Sequence, residues 1–249
     1  MTRTIAIALV LLWAMATPTL AAESPLKLEP LGDRVYAIIG PSGDRSAENL
    51  GNNANFGFVV TPDGVVLIDP GGSWKGAAMI EGLVREVTDQ PVRIVVNTGG
   101  QDHRWLGNGY FKARGARILA SAAAVADQQA RTAEQFDRLA AQMGLPALEG
   151  TEAVHADEVF DEGVDIELGG VVFQVRHFGQ AHTPGESVVW LPQQGVMFSG
   201  DIVYVGRMLS VRPYSDSRSW LAAFDAMAAL EPARIVPGHG PVTDLAGAT

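Results

Sequence analysis

With 249 residues, 47% of them hydrophobic, the chain can bury a substantial core as one large domain or two small ones. Its formal charge of −10 repels phosphate backbones, so nucleic acid is excluded as an expected partner. The absence of cysteine removes disulfides, thiolate nucleophiles, cysteine zinc sites and lipid anchoring through an N-terminal cysteine.

Residues 1–22 read as a signal peptide. Arg3 gives a short basic start, the apolar run Ile5 to Met15 is short for a bilayer span, and Pro18 breaks it before the small residues Ala21 and Ala22. Residues 23–249 are expected to form a single domain, exported to the periplasm or secreted, with no membrane association after cleavage.

Leu31 to Ile39 reads as a first strand, followed by a Gly- and Asn-rich loop over residues 42–55. Phe56 to Val60 and Val65 to Asp69 flank Thr61-Pro62-Asp63-Gly64, a hairpin signal. Helical spacing runs from Trp74 to Thr88, and short strands follow at Val92 to Val96 and Arg117 to Ala120. Ala122 to Met143 is an alanine-rich helix whose charges suit a solvated outer face. The second half repeats the theme, with strands at Ile166 to Leu168, Val171 to Val175, Ser187 to Leu191 and Val196 to Phe198. A helix from Trp220 to Leu230 and a last strand at Arg234 to Val236 complete it, with little room for a closing C-terminal helix. Two halves of strands then helix imply two sheets face to face with helices outside.

Three segments, Asn97–Asn108, Ala181–Gly185 and Pro237–Pro241, set histidines beside glycine turns, and Asp201 follows a hydrophobic run. Loops at strand ends let a rigid scaffold aim ligands inward. His103, His182, Asp201 and His239 are the set a divalent metal site would need. Imidazole with carboxylate suits zinc first, with manganese or iron as alternatives. A water on such an ion loses a proton near neutral pH and becomes a nucleophile. His155 reads as a surface group and His177 as a packing or hydrogen-bonding residue. Trp105 fits either pocket or core. No dinucleotide fingerprint, phosphate-binding loop or nucleophile elbow competes.

Val65 to Gly71, Asn97–Asn108, Ala181 to Gly185, Phe198 to Asp201 and Pro237 to Gly240 resemble, in order, the successive motifs of the metallo-β-lactamase superfamily. Within it, the exported quinoprotein-relay type metallohydrolases look most similar. The resemblance implies an α/β fold, a four-layer αββα sandwich with the metal site at one edge. It also implies a His-x-His-x-Asp-His motif, from which this chain departs. If Asp102-His103 matches the motif's Asp-His, Thr98 and Gly100 stand where two histidines belong, and Asp102 is a ligand. If Asn97-Thr98 and Gly107-Asn108 are matched without a gap, Gly99 and Gln101 replace those histidines, His103 replaces the aspartate, and Arg104 the last histidine. Either register depletes one metal position, so one ion is expected.

Asp102, His103 and Gln101 are the candidate catalytic residues, and His103, His182, Asp201, His239 and Asp102 the candidate metal ligands. The first functional reading is an exported one-metal hydrolase of an ester, amide or lactone bond, acting on a small-molecule substrate. With the second ion missing, Gln101, His182 or Arg104 would orient the substrate oxygen. The second reading is a pseudoenzyme whose pocket, with Arg104, Arg207 and Arg212 supplying charge, binds a small ligand or a periplasmic partner.

Overall fold

A computed structural model describes residues 24–248, so the expected signal peptide, residues 1–22, lies outside the described residues. The first sheet begins with β1 (Lys27–Gly32), β2 (Val35–Ile39), β3 (Phe56–Thr61) and β4 (Gly64–Ile68), then takes up α1 (Trp74–Val87) and β5 (Val92–Val96). It continues through α2 (Asn108–Lys112), β6 (Arg117–Ser121), α3 (Ala122–Met143), α4 (Leu145–Leu148) and β7 (Glu158–Phe160). The second half holds β8 (Gly163–Leu168), β9 (Val171–Arg176), β10 (Val188–Leu191), β11 (Val196–Phe198), α5 (Ser217–Ala228), β12 (Arg234–Val236) and α6 (Leu245–Ala248).

Strands β1 to β7 lie in chain order in a seven-stranded sheet, antiparallel as far as β4 and parallel beyond it. The other sheet has the order β12-β11-β10-β9-β8, and only its β11–β12 pair is parallel. Alternation along β4 shows why the sheets stack. Val65 and Leu67 join Ile80 and Val84 of α1 on the helix side, while Val66 and Ile68 join Phe173 and Phe198 between the sheets. A third cluster packs Trp220, Ala223 and Met227 of α5 against Val188 and Trp190 of the second sheet. The layers are therefore helix, sheet, sheet, helix. At Gly57 on β3, a Cβ would stand 2.0 Å from the Phe198 ring, so only glycine lets the two sheets close there.

Several sequence expectations need correction. The strand expected from Leu31 to Ile39 is two strands, because Gly32, Asp33 and Arg34 all take positive φ (91°, 47° and 63°) and turn the chain back. Leu31 and Val35 enter the same cluster on either side of the turn, so the apolar pattern runs through it unbroken. Strand β7 went unforeseen, and a short α6 does follow the last strand. The polar surface of α3 is only partly solvated: Glu134 and Asp137 are exposed, but Asp127, Gln128, Arg131 and Gln135 are buried. Gln128 Nε2 donates to the Gly99 carbonyl (3.2 Å) and Gln135 Nε2 to that of Gly100 (2.9 Å). Gln135 also accepts from Trp105 Nε1 at 3.0 Å. A glycine loop buried at a sheet edge offers backbone carbonyls that need donors, and this helix supplies them.

Candidate metal centre

Parallel strands bring the site together. The register Phe198↔Val236 places Asp201 and His239 level with one another, each three residues past the paired position. In the first sheet Ile68 pairs with Val96, so Asp69 and Asn97 leave the same edge and the Asn97–Asn108 loop follows. A single 3₁₀ turn, Asp102–Arg104, carries His103 inward.

His103, Asp201 and His239 are all buried, and one ligand atom from each lies within 4.8 Å of the others. His103 Nε2 is 3.5 Å from Asp201 Oδ2, and His239 Nε2 is 3.5 Å from Asp201 Oδ1. Two donors on one tetrahedral zinc stand roughly 3.4 Å apart, so both spacings suit a shared ion. His103 Nε2 and Asp201 Oδ2 are buried without a hydrogen-bond partner among the described residues. They face only each other, and a bound ion would partner both. Burial, reinforced by Arg104, pulls the His103 imidazole down to about 3. Burial likewise pulls His239 down to about 2 against the opposing charge of Asp201. Both rings are thus neutral near pH 7, the protonation state a metal needs. His239 Nδ1 lies 3.0 Å from the Asn53 carbonyl, which can only accept, so the proton sits there and Nε2 keeps its lone pair.

Arg104 is the fixed cation of the site. Its Nη1 donates to the Asn55 carbonyl and to Asp69 Oδ2, both at 2.8 Å, and its Nη2 to Asp201 Oδ1 at 2.6 Å. Asp69 also accepts from Thr98 N and Oγ1, each at 2.7 Å. Burial raises Asp69 to about 6 against these donors, which still leaves it ionised at neutral pH. Asp201, which burial alone would raise, is held well below the usual carboxylate range by Arg104 and the two imidazoles.

The other half of the site is closed. His182 Nδ1 donates to the Ser210 carbonyl at 2.7 Å, which leaves a lone pair on Nε2, and the Gln101 side-chain amide sits against it. His182 is neutral through burial. It stands outside the three-donor group, contrary to its expected place as a ligand. A Cβ on Gly99 would lie 2.9 Å from both carboxylate oxygens of Glu186, and one on Gly100 would lie 1.9 Å from Asp127 Oδ2. Glu186 accepts from Thr183 Oγ1 (2.6 Å) and from the backbone of Thr183 (3.2 Å) and Asp201 (3.3 Å). Burial and the Asp201 charge push Glu186 up, so it holds its proton. The space that a side chain at position 99 would enter is filled by Glu186.

This placement matches the gap-free register: Gln101 adjoins His182, His103 adjoins Asp201 and His239, and Arg104 bridges behind them. Asp102, expected as a ligand only in the other register, faces away. Its Oδ1 accepts from Arg45 Nε (2.8 Å) and Nη2 (2.5 Å), and its Oδ2 from Arg138 Nη2 (2.7 Å). Burial would raise Asp102, but Arg45, His103 and Arg138 hold it well below its ordinary value. It therefore touches the reacting space only through its neighbours, not as a direct catalytic group. Arg45 Nη2 also reaches His103 Nδ1 at 2.8 Å.

The remaining sequence readings resolve simply. His155 is half-buried and stacks on Trp105 at 5.0 Å, and Trp105 belongs to the core. His177 Nδ1 donates to the Glu186 carbonyl at 2.7 Å. Sequence reasoning missed Arg45, Arg138, Glu186 and Tyr204. Tyr204 packs its ring 4.6 Å from that of His239, and burial with the Asp201 charge keeps it a phenol. Its place three residues after Asp201 was the one available hint. A cavity of about 80 Å³ opens onto His103, His239, Gln101 and His182.

Two stacked sheets flanked by helices, with a His–Asp–His donor group where parallel strands end, define a metallohydrolase-type sandwich. The metallo-beta-lactamase superfamily model matches residues 50–239, and the chain belongs to that superfamily. It is similar to the metallo-beta-lactamase type 2 of Bacteroides fragilis, 25% identical over 236 residues that cover 91% of this chain and 84% of that one. Its similarity to the metallo-beta-lactamase type 2 of Elizabethkingia meningoseptica is 27% identity over 186 residues, 74% of this chain and 65% of that one. Among solved structures, a metallo-beta-lactamase from Pontibacter korlensis superposes with a TM-score of 0.69 at 22% identity, covering 89% and 94% of the two chains. FIM-1 from Pseudomonas aeruginosa, in a mono-zinc form, gives a TM-score of 0.68 at 21% identity, covering 88% and 90%. At these identities the structural likeness establishes the fold alone.

Proposed function

We infer that the protein is an exported hydrolase that cleaves an ester-, amide- or lactone-type bond with one divalent ion, zinc first, held by His103, Asp201 and His239. The observation that carries this reading is the convergence of three buried donor atoms, from His103, Asp201 and His239, within 4.8 Å of one another. FIM-1, similar in fold, is described in a mono-zinc form, which supports single occupancy in this architecture. When bound, the ion would acidify a water molecule to near neutrality and polarise the bond under attack.

The chain's own residues supply the rest. Asn53 fixes the His239 tautomer, and Arg104 pins Asp201 by one oxygen so that the other stays free. Asp102 Oδ1, 3.4 Å from His103 Nδ1, is the acceptor toward which Nδ1–H would point when Nε2 offers its lone pair. Gln101 and Tyr204 border the cavity and are placed to orient a substrate oxygen. Arg104 commits Nη1 and Nη2 to Asn55, Asp69, Asp201 and Gly238, which leaves only its buried Nε without a partner.

The test is turnover of a panel of esters, lactones and amides by the mature protein, with zinc and after chelation, alongside Asp201→Asn. Chelation and the variant are each expected to cost more than about 100-fold. Full activity in either would sink the reading.

One observation favours a second reading, a pseudoenzyme that binds a ligand or a periplasmic partner. Arg45 can only donate to His103 Nδ1, which puts the neutral ring's proton on Nε2 and blocks it as a ligand. Metal uptake needs that contact released, so a protein that takes up no zinc would favour the binding role.

A further inference from the structure

Behind His103 lies a cluster of charged side chains centred on Asp102. Arg45, in the loop between β2 and β3, places Nε and Nη2 on Asp102 Oδ1 at 2.8 and 2.5 Å. That oxygen also accepts from the backbone of His103 at 2.7 Å, so three N–H donors already converge on it. Arg138 of α3 holds the other oxygen, Oδ2, at 2.7 Å. Both arginines are thus paired with Asp102, and neither is a free cation. Arg45 alone reaches further, because its Nη2 also lies 2.8 Å from His103 Nδ1.

A guanidinium has donors and no acceptor, so Nδ1 must accept in that contact and the proton of the neutral ring stands on Nε2. Nε2 faces Asp201 Oδ2 across 3.5 Å, which puts the proton in the gap where an ion would bind. An ion on Nε2 reverses the arrangement. The ring proton must then sit on Nδ1, with Asp102 Oδ1, 3.4 Å away, as the acceptor in reach. A carboxylate behind a ligating imidazole is the usual support of such a site. Arg45 obstructs this twice, since it occupies Nδ1 and crowds Oδ1. Its charge also opposes a cation on the far side of the same ring. A second partner for it stands nearby. Asp44 is exposed and lines the same cavity as Arg45. Its backbone carbonyl holds Asn49, while its carboxylate forms no salt bridge among the described residues.

We propose that Arg45 is a latch on the metal site: it holds His103 in the tautomer that cannot ligate, and it must swing from His103 toward Asp44 before Nε2 can take a divalent cation. This is a control on the same site and rests on the one-metal reading. Arg138 keeps its hold on Oδ2, so Asp102 stays anchored while Arg45 moves. The sign of the effect separates a latch from a prop. Removing a residue that merely supports a ligand weakens metal binding, whereas removing a latch strengthens it.

The experiment has two readouts on the mature protein. The first is zinc affinity, by competition with a chromophoric chelator, for the native chain, Arg45→Met and Asp44→Asn. Arg45→Met should bind zinc about tenfold or more tighter than the native chain. Asp44→Asn, which removes the second partner, should bind it about threefold more weakly. The second is nitrogen NMR of the histidine rings, with His103 assigned by difference from His103→Gln. The His103 proton should stand on Nε2 in the metal-free native chain and on Nδ1 once zinc is added. Equal or weaker zinc binding by Arg45→Met would overturn the latch. So would undiminished binding by Asp44→Asn, or a proton on Nδ1 in the metal-free native chain. Should Arg45→Met fail to fold, the native tautomer and Asp44→Asn decide between them. Zinc binding by neither the native chain nor Arg45→Met would defeat the one-metal reading and the latch with it, whereas binding by both, no tighter in Arg45→Met, defeats the latch alone.

Discussion

Where His103, Asp201 and His239 meet, three buried donor atoms converge and the rings are neutral; where Gly99, Gln101 and His182 meet, Glu186 fills the space beside Gly99 and the Gln101 amide sits against His182. Both regions sit on the same sheet edge and are built from the same loop. One has kept the features of a ligand set, and the other has been rebuilt as packed structure around Glu186. Loss of a metal position in this fold is therefore more than the deletion of two imidazoles. The space has been refilled, and Arg104 ties the refilled half to the open one through Asp69 and Asp201.

The largest expected effect comes from removing that tie. Arg104→Met leaves two buried carboxylates short of their cation, and the metal-free protein should lose about 3–5 kcal/mol in denaturant unfolding. A loss below about 1 kcal/mol would mean that solvent reaches the site and that the two halves are not coupled through Arg104.

A smaller effect is expected from reversing the sequence departures one at a time. Gly99→His must displace the Glu186 carboxylate and should cost about 1–3 kcal/mol by overpacking. Gln101→His should fold normally and bind no additional metal, because His182 gains only one new neighbour. A second equivalent of zinc in Gln101→His, measured by elemental analysis, would show that the closed half is less closed than its contacts indicate.

Much of the fold was legible because β4, β5, β10 and β11 alternate or run apolar between strong turns, and because helix caps such as Ser73 and Asp216 stand where a capping residue belongs. Asp201 and His239 were legible for a related reason, since each ends a short buried strand. The choice of motif register was not. Asp102 and His103 are adjacent in sequence, and only the three-dimensional arrangement of Arg45, 57 residues away, and Arg138 shows which of the two turns inward. Glu186 and Tyr204 were hidden because an isolated acid or phenol in a loop carries no periodic signal. The buried polar face of α3 was misread because its partners are backbone carbonyls, which composition does not display.

The one-metal reading of the site stands or falls on metal content. Elemental analysis of the mature protein after incubation with zinc and removal of the excess should give close to one equivalent for the native chain and Gln101→His, and almost none for His239→Ala. No zinc in the native chain, or an unchanged equivalent in His239→Ala, would contradict it.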